Sequence, residues 1–432
     1  MQQQIRMAVV GLGFVGLPLA LSYAQKGAFV LGIDVAARHV EALNRGESES
    51  VERDGERTLQ DILREMIARS RFRATTDYDE AGRLGIDRYV VTVGIPIKDG
   101  EPVYAPFIDA ARSIGRVLKT GDLVLVRSTV VPGATEEIFQ PILEQESGLR
   151  AGVDFDLAYA SERIAEGRAF EEFRTMPLGV GAVGERGLTR AIELLKIVTE
   201  ADIHPSSIKV VETAKLFENI QRDVNLAMVQ EFARFTERFG IDTLETIRIA
   251  NTHKRVQLLI PGPGVGGHCI PYAYYYLKPK VDALGLRLPL LALARQQNDS
   301  VPQALVDWVG SALAERGKSY RDMTVAVLGL AMKDYSNDDR ESPALRIADL
   351  LSDRGAQVRA FDPLVKHDAS YVVDTLDAAV DGADVLFFLV RQKAFDDLDW
   401  ADIGRRMRAD GLIFDAKGVV PEGHGPQTVM RI

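Results

Sequence analysis

Cys269 is the only cysteine in 432 residues, and it closes the run Ile260-Pro-Gly-Pro-Gly-Val-Gly-Gly-His-Cys269-Ile-Pro271. A thiolate is a strong nucleophile, able to hold a carbonyl carbon as a covalent adduct. The glycines before it bring backbone close to a ligand without Cβ interference and can turn N–H groups around an anion. A lone cysteine also serves as a small apolar core residue, so nucleophile and filler stand side by side here. Upstream, Lys215 and Asn219 are spaced i, i+4 in a stretch without Gly or Pro. A helix there puts both on one face, where an ammonium stabilises developing negative charge and an amide orients a reactant. The plain alternative is a solvated lysine beside a surface asparagine. Glu162 and Glu166, in Ser161-Glu-Arg-Ile-Ala-Glu-Gly167, can face one cavity for proton transfer or lie on a solvated loop. Thr129, in Ser128-Thr-Val-Val-Pro-Gly133, offers a hydroxyl to a cofactor or substrate, or is a turn residue. Asn251-Thr-His-Lys-Arg255 is a cationic cluster suited to clamping a phosphate.

The elements around these residues read as α/β. An apolar run, Met7–Val10, leads into Gly11-Leu12-Gly13-Phe14-Val15-Gly16, a helical pattern follows, and Phe29–Asp34 reads as a second strand ending in an acid. The three glycines serve different needs. Gly11 makes the tight turn, Gly13 lets a pyrophosphate approach, and Gly16 allows close helix–strand packing. Asp34 would accept from the adenosine ribose and repel a 2′-phosphate, which favours NAD over NADP, with Arg38 one turn later as a counterweight. Strands at Tyr89–Val93 and Leu123–Ser128 place Val93, Pro96, Ser128 and Thr129 in loops where a doubly wound sheet holds its cofactor. A third such run, Phe155–Ala160, precedes the two glutamates. In the C-terminal third, Thr324–Gly329, Gln357–Asp362, Val385–Val390 and Leu412–Asp415 repeat the alternation with a degraded glycine fingerprint. Lys333 and Arg340 there suit a diphosphate.

The fold expected is two Rossmann-like doubly wound units joined by a long central helical segment. Boundaries fall at 1–205 for an NAD-binding domain, 206–305 for a helical domain with the cysteine loop, and 306–432 for a second Rossmann-like domain whose Lys333 and Arg340 suit a diphosphate. Net charge of −10 and a pI near 5.3 leave no basic field for nucleic acid. The apolar runs are too short to cross a bilayer, a single cysteine precludes an intramolecular disulfide, and no metal ligands are assigned. A soluble cytoplasmic protein is expected. Phe217, Leu226, Met228, Phe232 and Phe235 read as core or as a dimer interface.

The chain resembles the UDP-glucose/GDP-mannose dehydrogenases, the nucleotide-sugar 6-dehydrogenases. GLGFVGLPLA, STVVPGATEE, SERIAEGRAF, ETAKLFENIQRDVN, PGPGVGGHCIP and K-x-x-S-N-D-D-R-E-S-P occur in that family's order over nearly the whole chain. Among its members, NTHKRVQLLIPGPGVGGHCIP is most similar to enzymes acting on UDP-N-acetylhexosamines, UDP-N-acetylmannosamine above all. The resemblance implies NAD-dependent four-electron oxidation of a C6 hydroxyl to a carboxylate, with Cys269 carrying a thiohemiacetal and then a thioester. It implies Lys215 and Asn219 at the C6 oxygen, and Glu162, Glu166 and Thr129 handling water and protons, without saying which glutamate does which. It gives Arg163, Arg255, Pro261, Gly262, Gly264, Gly266, Gly267, Lys333 and Lys417 to the nucleotide-sugar, Arg340 to the NAD diphosphate, and a homodimer or higher oligomer to the chain. His268 adjoins Cys269, but sequence neighbours point in different directions. Two departures stand out. Ala273 replaces the aspartate many members carry four residues after the cysteine, and Lys417 stands where many carry arginine. They leave room for an atypical nucleotide or nucleoside sugar, an aldehyde product, or a nucleotide-sugar binding protein without catalysis. A two-electron 3-hydroxyacid-type dehydrogenase is the alternative that needs neither Cys269 nor the second Rossmann unit.

Overall fold

Short aliphatic runs without polar alternation form strands buried on both faces, the pattern of a parallel sheet covered by helices. The computed structural model describes residues 4–432. It divides into two units, Met1–Glu218 with Tyr275–Leu286, and Asn219–Tyr274 with Arg287–Ile432.

In the first unit the strands are β1 (Arg6–Val10), β2 (Phe29–Ile33), β3 (Phe72–Thr75), β4 (Arg88–Val91), β5 (Leu123–Val126), β6 (Asp156–Ala160), β7 (Leu178–Ala182) and β8 (Ile203–Ser206). They form one sheet in the order β8-β7-β6-β5-β4-β1-β2-β3, parallel except for the β6–β7 pair. The register levels the strand ends. Val10 lies opposite both Ile33 and Val91, and Val126 lies opposite Val91 and Tyr159. The loops that begin at Gly11, Asp34, Thr92, Arg127 and Ser161 therefore leave one edge of the sheet. Helix α1 (Gly16–Gln25) is buried along nearly its whole length, and α2 (Ala169–Thr175) follows the glutamate loop.

The helix α3 (Ile208–Phe239) runs 32 residues, as the absence of Gly and Pro predicts. Its start passes β7, where a Cβ at Gly181 would come 2.5 Å from the Ile208 nitrogen, a close approach only glycine allows. Beyond it come α4 (Ala273–Ala283) and α5 (Pro289–Ala314).

The second unit holds β9 (Thr324–Leu328), β10 (Gln357–Phe361), β11 (Val385–Phe388), β12 (Leu412–Asp415) and β13 (Thr428–Arg431). Their order is β10-β9-β11-β12-β13, all parallel. Helix α6 (Pro343–Asp353) follows β9 only after a long loop. The sequence reading finds nine of these thirteen strands. It lacks β3, β7, β8 and β13, which are short and interrupted by glycine, proline or charge. Among the described residues no helix is long and apolar enough to cross a membrane.

At the opposite end of β5, buried Asp122 accepts the Lys119 N–H at 2.9 Å. Burial outweighs that bond and raises its carboxyl to about 6. Because the folded protein binds this proton more tightly than the unfolded chain, the stability it contributes is complete below pH ~4 and is lost as pH rises through ~6. Asp122→Asn keeps an acceptor for Lys119 and removes the charge. It is expected to raise the thermal midpoint by roughly 2–4 °C at neutral pH and to leave it unchanged in acid. Equal midpoints at neutral pH would show that desolvation is not the governing effect.

Candidate functional site

The first site lies where β1 meets α1. Gly11 takes φ +91° and donates its N–H to the Ile33 carbonyl at 2.8 Å. A Cβ on Gly16 would lie 1.8 Å from the Gly11 oxygen, whereas one on Gly13 meets no atom within 4 Å. The turn is thus closed by packing at Gly16 and open at Gly13, a cradle that fits a pyrophosphate. Asp34 receives the Leu12 N–H on Oδ2 at 2.8 Å and the Ala36 N–H on Oδ1 at 2.9 Å, and each oxygen keeps a further lone pair for a ribose hydroxyl. Phe14 and Arg38 are exposed, Val15 and Val93 are half-buried, Pro96 is exposed and Ser128 is buried.

The β5 and β6 loops are held by acidic side chains the sequence reading passes over. Glu212 of α3 is buried and accepts the Gly133 N–H at 2.6 Å and the Thr135 N–H at 3.1 Å, fixing the loop that carries half-buried Thr129. Burial raises the Glu212 carboxyl. In the following loop, Glu162 accepts the Arg163 and Ile164 N–H groups at 2.7 and 3.0 Å. Glu172 accepts from Ala165, and Glu52 from Gly167 and Ala169, at 2.5, 2.6 and 2.8 Å. Glu166 sits half-buried within this clamped segment. The Arg163 guanidinium, expected on substrate, bonds Glu218 and the Pro177 carbonyl. Lys215, also of α3, is buried.

In the second unit Cys269 is free and exposed, which removes the core-filler reading. Three side chains of α3 hold its loop by the backbone. Asn219 donates to the Cys269 carbonyl at 3.0 Å, Asn225 donates to the Gln257 carbonyl and accepts the Leu259 N–H, and Gln230 donates to the Gly262 carbonyl. The Asn219 oxygen accepts from Arg222, which fixes the direction of the amide. Asn225 and Gln230 are legible in the sequence only as two polar residues among the many on this helix. The glycines differ in role. A Cβ at Gly264 would lie 2.9 Å from Pro343, one at Gly266 2.7 Å from the Glu341 oxygen, and one at Gly267 2.3 Å from the Met332 sulfur. These three permit close packing on the loop after β9, and Gly262 alone faces open space. His268 stacks on Tyr272 with ring centroids 4.8 Å apart, and burial lowers its pKa. Ala273 is completely buried at the start of α4.

The loop after β9 carries Lys333 and Arg340, the latter paired with Asp338. Lys417 Nζ lies 2.9 Å from Asp334, and Arg255 is exposed. Here the strand-end acid is Asp362, whose Oδ2 accepts the Leu330 N–H at 2.8 Å, as Asp34 accepts Leu12. Asp362 also accepts from Leu364, Val365 and the fully buried Gln392, so its oxygens are occupied by the protein.

One Rossmann unit with an open cradle and a ribose acceptor, accompanied by a presented thiol and a second, filled Rossmann unit, defines a dinucleotide-dependent oxidoreductase. Residues 5–200, 209–300 and 326–422 match the NAD binding, central and UDP binding domains of the UDP-glucose/GDP-mannose dehydrogenase family. The chain is 32% identical over 419 residues to the UDP-N-acetyl-D-mannosamine dehydrogenase of Pyrococcus horikoshii, covering 97% of this chain and 96% of that one. It is 32% identical to a UDP-N-acetyl-D-glucosamine 6-dehydrogenase of Pseudomonas aeruginosa, covering 97% and 98%. A solved UDP-D-ManNAc dehydrogenase structure from Pyrococcus horikoshii superposes with a TM-score of 0.92 at 31% identity, covering 99% of both chains. The chain belongs to the UDP-glucose/GDP-mannose dehydrogenase family, and its cofactor is NAD.

The two fingerprint glycines are expected to fail differently. Gly13→Ala should keep the parental thermal midpoint and lose NAD affinity by about ten-fold or more in a calorimetric titration. Gly16→Ala should lose both affinity and stability, because its methyl collides with the turn itself. Parental NAD affinity in Gly13→Ala would mean that no phosphate approaches there.

Proposed function

We propose that this protein oxidises the C6 hydroxyl of a nucleotide-sugar, of the UDP-N-acetylhexosamine class and UDP-N-acetylmannosamine in particular, to the uronic acid. One alcohol, two NAD+ and one water give one carboxylate, two NADH and three protons. The names of the relatives support the substrate class, and the exposed thiol on a loop fixed from α3 carries the reading.

NAD, when bound, accepts a hydride from C6 in each of the two oxidations. The residues for it are Gly11 to Gly16, Asp34 and the loops at Val93, Pro96 and Ser128. The Cys269 thiolate adds to the C6 aldehyde, forming a carbon–sulfur bond that keeps the aldehyde from leaving. Oxidation of that thiohemiacetal gives a thioester, and water breaks the carbon–sulfur bond to release the carboxylate and the thiol. Lys215 stabilises negative charge on the C6 oxygen. Asn219 fixes the Cys269 backbone and so the position of the sulfur. Thr129, Glu162 and Glu166 hold water and move protons. Arg255, the 261–267 loop, Lys333 and Lys417 bind the nucleotide diphosphate.

NADH yield measured against UDP-N-acetylmannosamine, UDP-N-acetylglucosamine, UDP-N-acetylgalactosamine, UDP-glucose and GDP-mannose tests the class. Two NADH per sugar are expected. Cys269→Ala should lower acid formation at least ~1,000-fold with NAD affinity unchanged, and acid made at the parental rate would dismiss the covalent route. The buried methyl of Ala273, at the position where the family resemblance implies an aspartate, favours a second reading in which oxidation stops at the aldehyde. One NADH per sugar would select it.

The oligomer belongs to the same proposal. Met228, Phe232, Phe235 and Phe239 recur every three or four residues along α3 and stay exposed, with the last two rings stacked at 5.5 Å. Such a stripe fits a second copy of α3. Phe235→Glu with Phe239→Glu is expected to convert a dimer to a monomer in sedimentation, and a parental chain already monomeric at micromolar concentration would refute the pairing.

A further inference from the structure

Arg127 directly follows β5 and precedes Ser128 and Thr129, yet its side chain is only 6% exposed. Its Nη2 lies 2.7 Å from Glu162 Oε2, and its guanidinium carbon stands 5.9 Å from the Phe173 ring centroid, on α2. The other Glu162 oxygen accepts the Arg163 and Ile164 N–H groups. One oxygen is thus held by two N–H groups and the other faces the Arg127 charge without a formed hydrogen bond, on a side chain 9% exposed. The neighbouring hydroxyls of Tyr23 and Tyr159 are buried and kept neutral by burial, Tyr23 being raised to about 12.

We propose that Arg127 is a positioning residue for the oxidation: it holds Glu162 in one orientation, so that Glu162 meets the reactants as a fixed hydrogen-bond acceptor. This rests on the role given to Glu162 above. Arg127 touches no reactant; it acts through Glu162, and the Phe173 face keeps the guanidinium from swinging away.

The test uses the full-length protein with saturating NAD and nucleotide-sugar. Arg127→Met is expected to lower kcat by ~30-fold or more while the KM for NAD stays within about three-fold, and Arg127→Lys to recover most of the loss. In a Glu162→Gln background the same Arg127→Met change should cost less than about three-fold further, because its target is already gone. A parental kcat in Arg127→Met, or an undiminished loss in the double variant, overturns the inference. Should Arg127→Met not fold, Arg127→Gln takes its place with the same expectations. A parent that oxidises no nucleotide-sugar would defeat the functional reading alone. The inference then stands or falls on a crystal structure of Arg127→Gln: a carboxylate that has left the Arg163 and Ile164 N–H groups supports it, and one that keeps them overturns it.

Discussion

Irregular backbone carries N–H groups that neither helix nor sheet satisfies, and the loops after β5 and β6 and the strand-end turns of both units meet that demand with carboxylates. Glu212 serves the Thr129 loop, Glu162, Glu172 and Glu52 serve the glutamate loop, and Asp34, Asp362 and Asp415 serve the turns at their strand ends. A charged acceptor makes a shorter, stronger bond than a neutral one. It also holds two N–H groups at once. The surplus of acidic residues, which reads in the sequence only as net charge, is in part this internal scaffolding.

The second unit secures its cysteine loop by amides instead. Asn219, Asn225 and Gln230 reach from α3 to the backbone between Gln257 and Cys269. Amides donate to carbonyls, as a carboxylate cannot, and they add no charge beside a thiol whose nucleophilic form is an anion. Behind them, buried Asp223 on the same helix pairs with Arg295 of α5 at 2.7 Å and accepts from Asn298 at 2.8 Å, so the helix presenting the amides is itself anchored. A site on a helix tied down in this way is held more tightly than one on a free loop.

The sequence carries the α/β class, nine strands, the glycine fingerprint and the cysteine loop, because each has a local pattern of glycine, periodicity or β-branching. It does not carry the partners. Glu52 serves Gly167 across 115 residues, and a glutamate with that role looks like any surface glutamate. Arg127 falls within the run read as the strand Leu123–Ser128 and gets no role there, because its burial is not written in that run. The place of Arg163 in a motif points to substrate, whereas its guanidinium bonds Glu218 and Pro177. The glycines of the cysteine loop announce close approach correctly, but at three of four positions the approaching body is Met332, Glu341 or Pro343 rather than a ligand. Glycine content reports that something comes near, not what.

The filled acid of the second Rossmann unit has a consequence for selectivity. A ribose hydroxyl arriving at Asp362 would have to displace the Gln392 amide, which also bonds the Ser336 carbonyl and is sealed from solvent. Displacement would leave two buried groups unsatisfied, a cost of a few kcal/mol that ribose hydroxyls, already hydrogen-bonded in water, do not recover. The unit keeps the strand-end acid of a dinucleotide fold on a five-stranded sheet, with that acid's oxygens already taken by the protein. One buried glutamine thus closes to a ribose the position that Asp34 leaves open in the first unit.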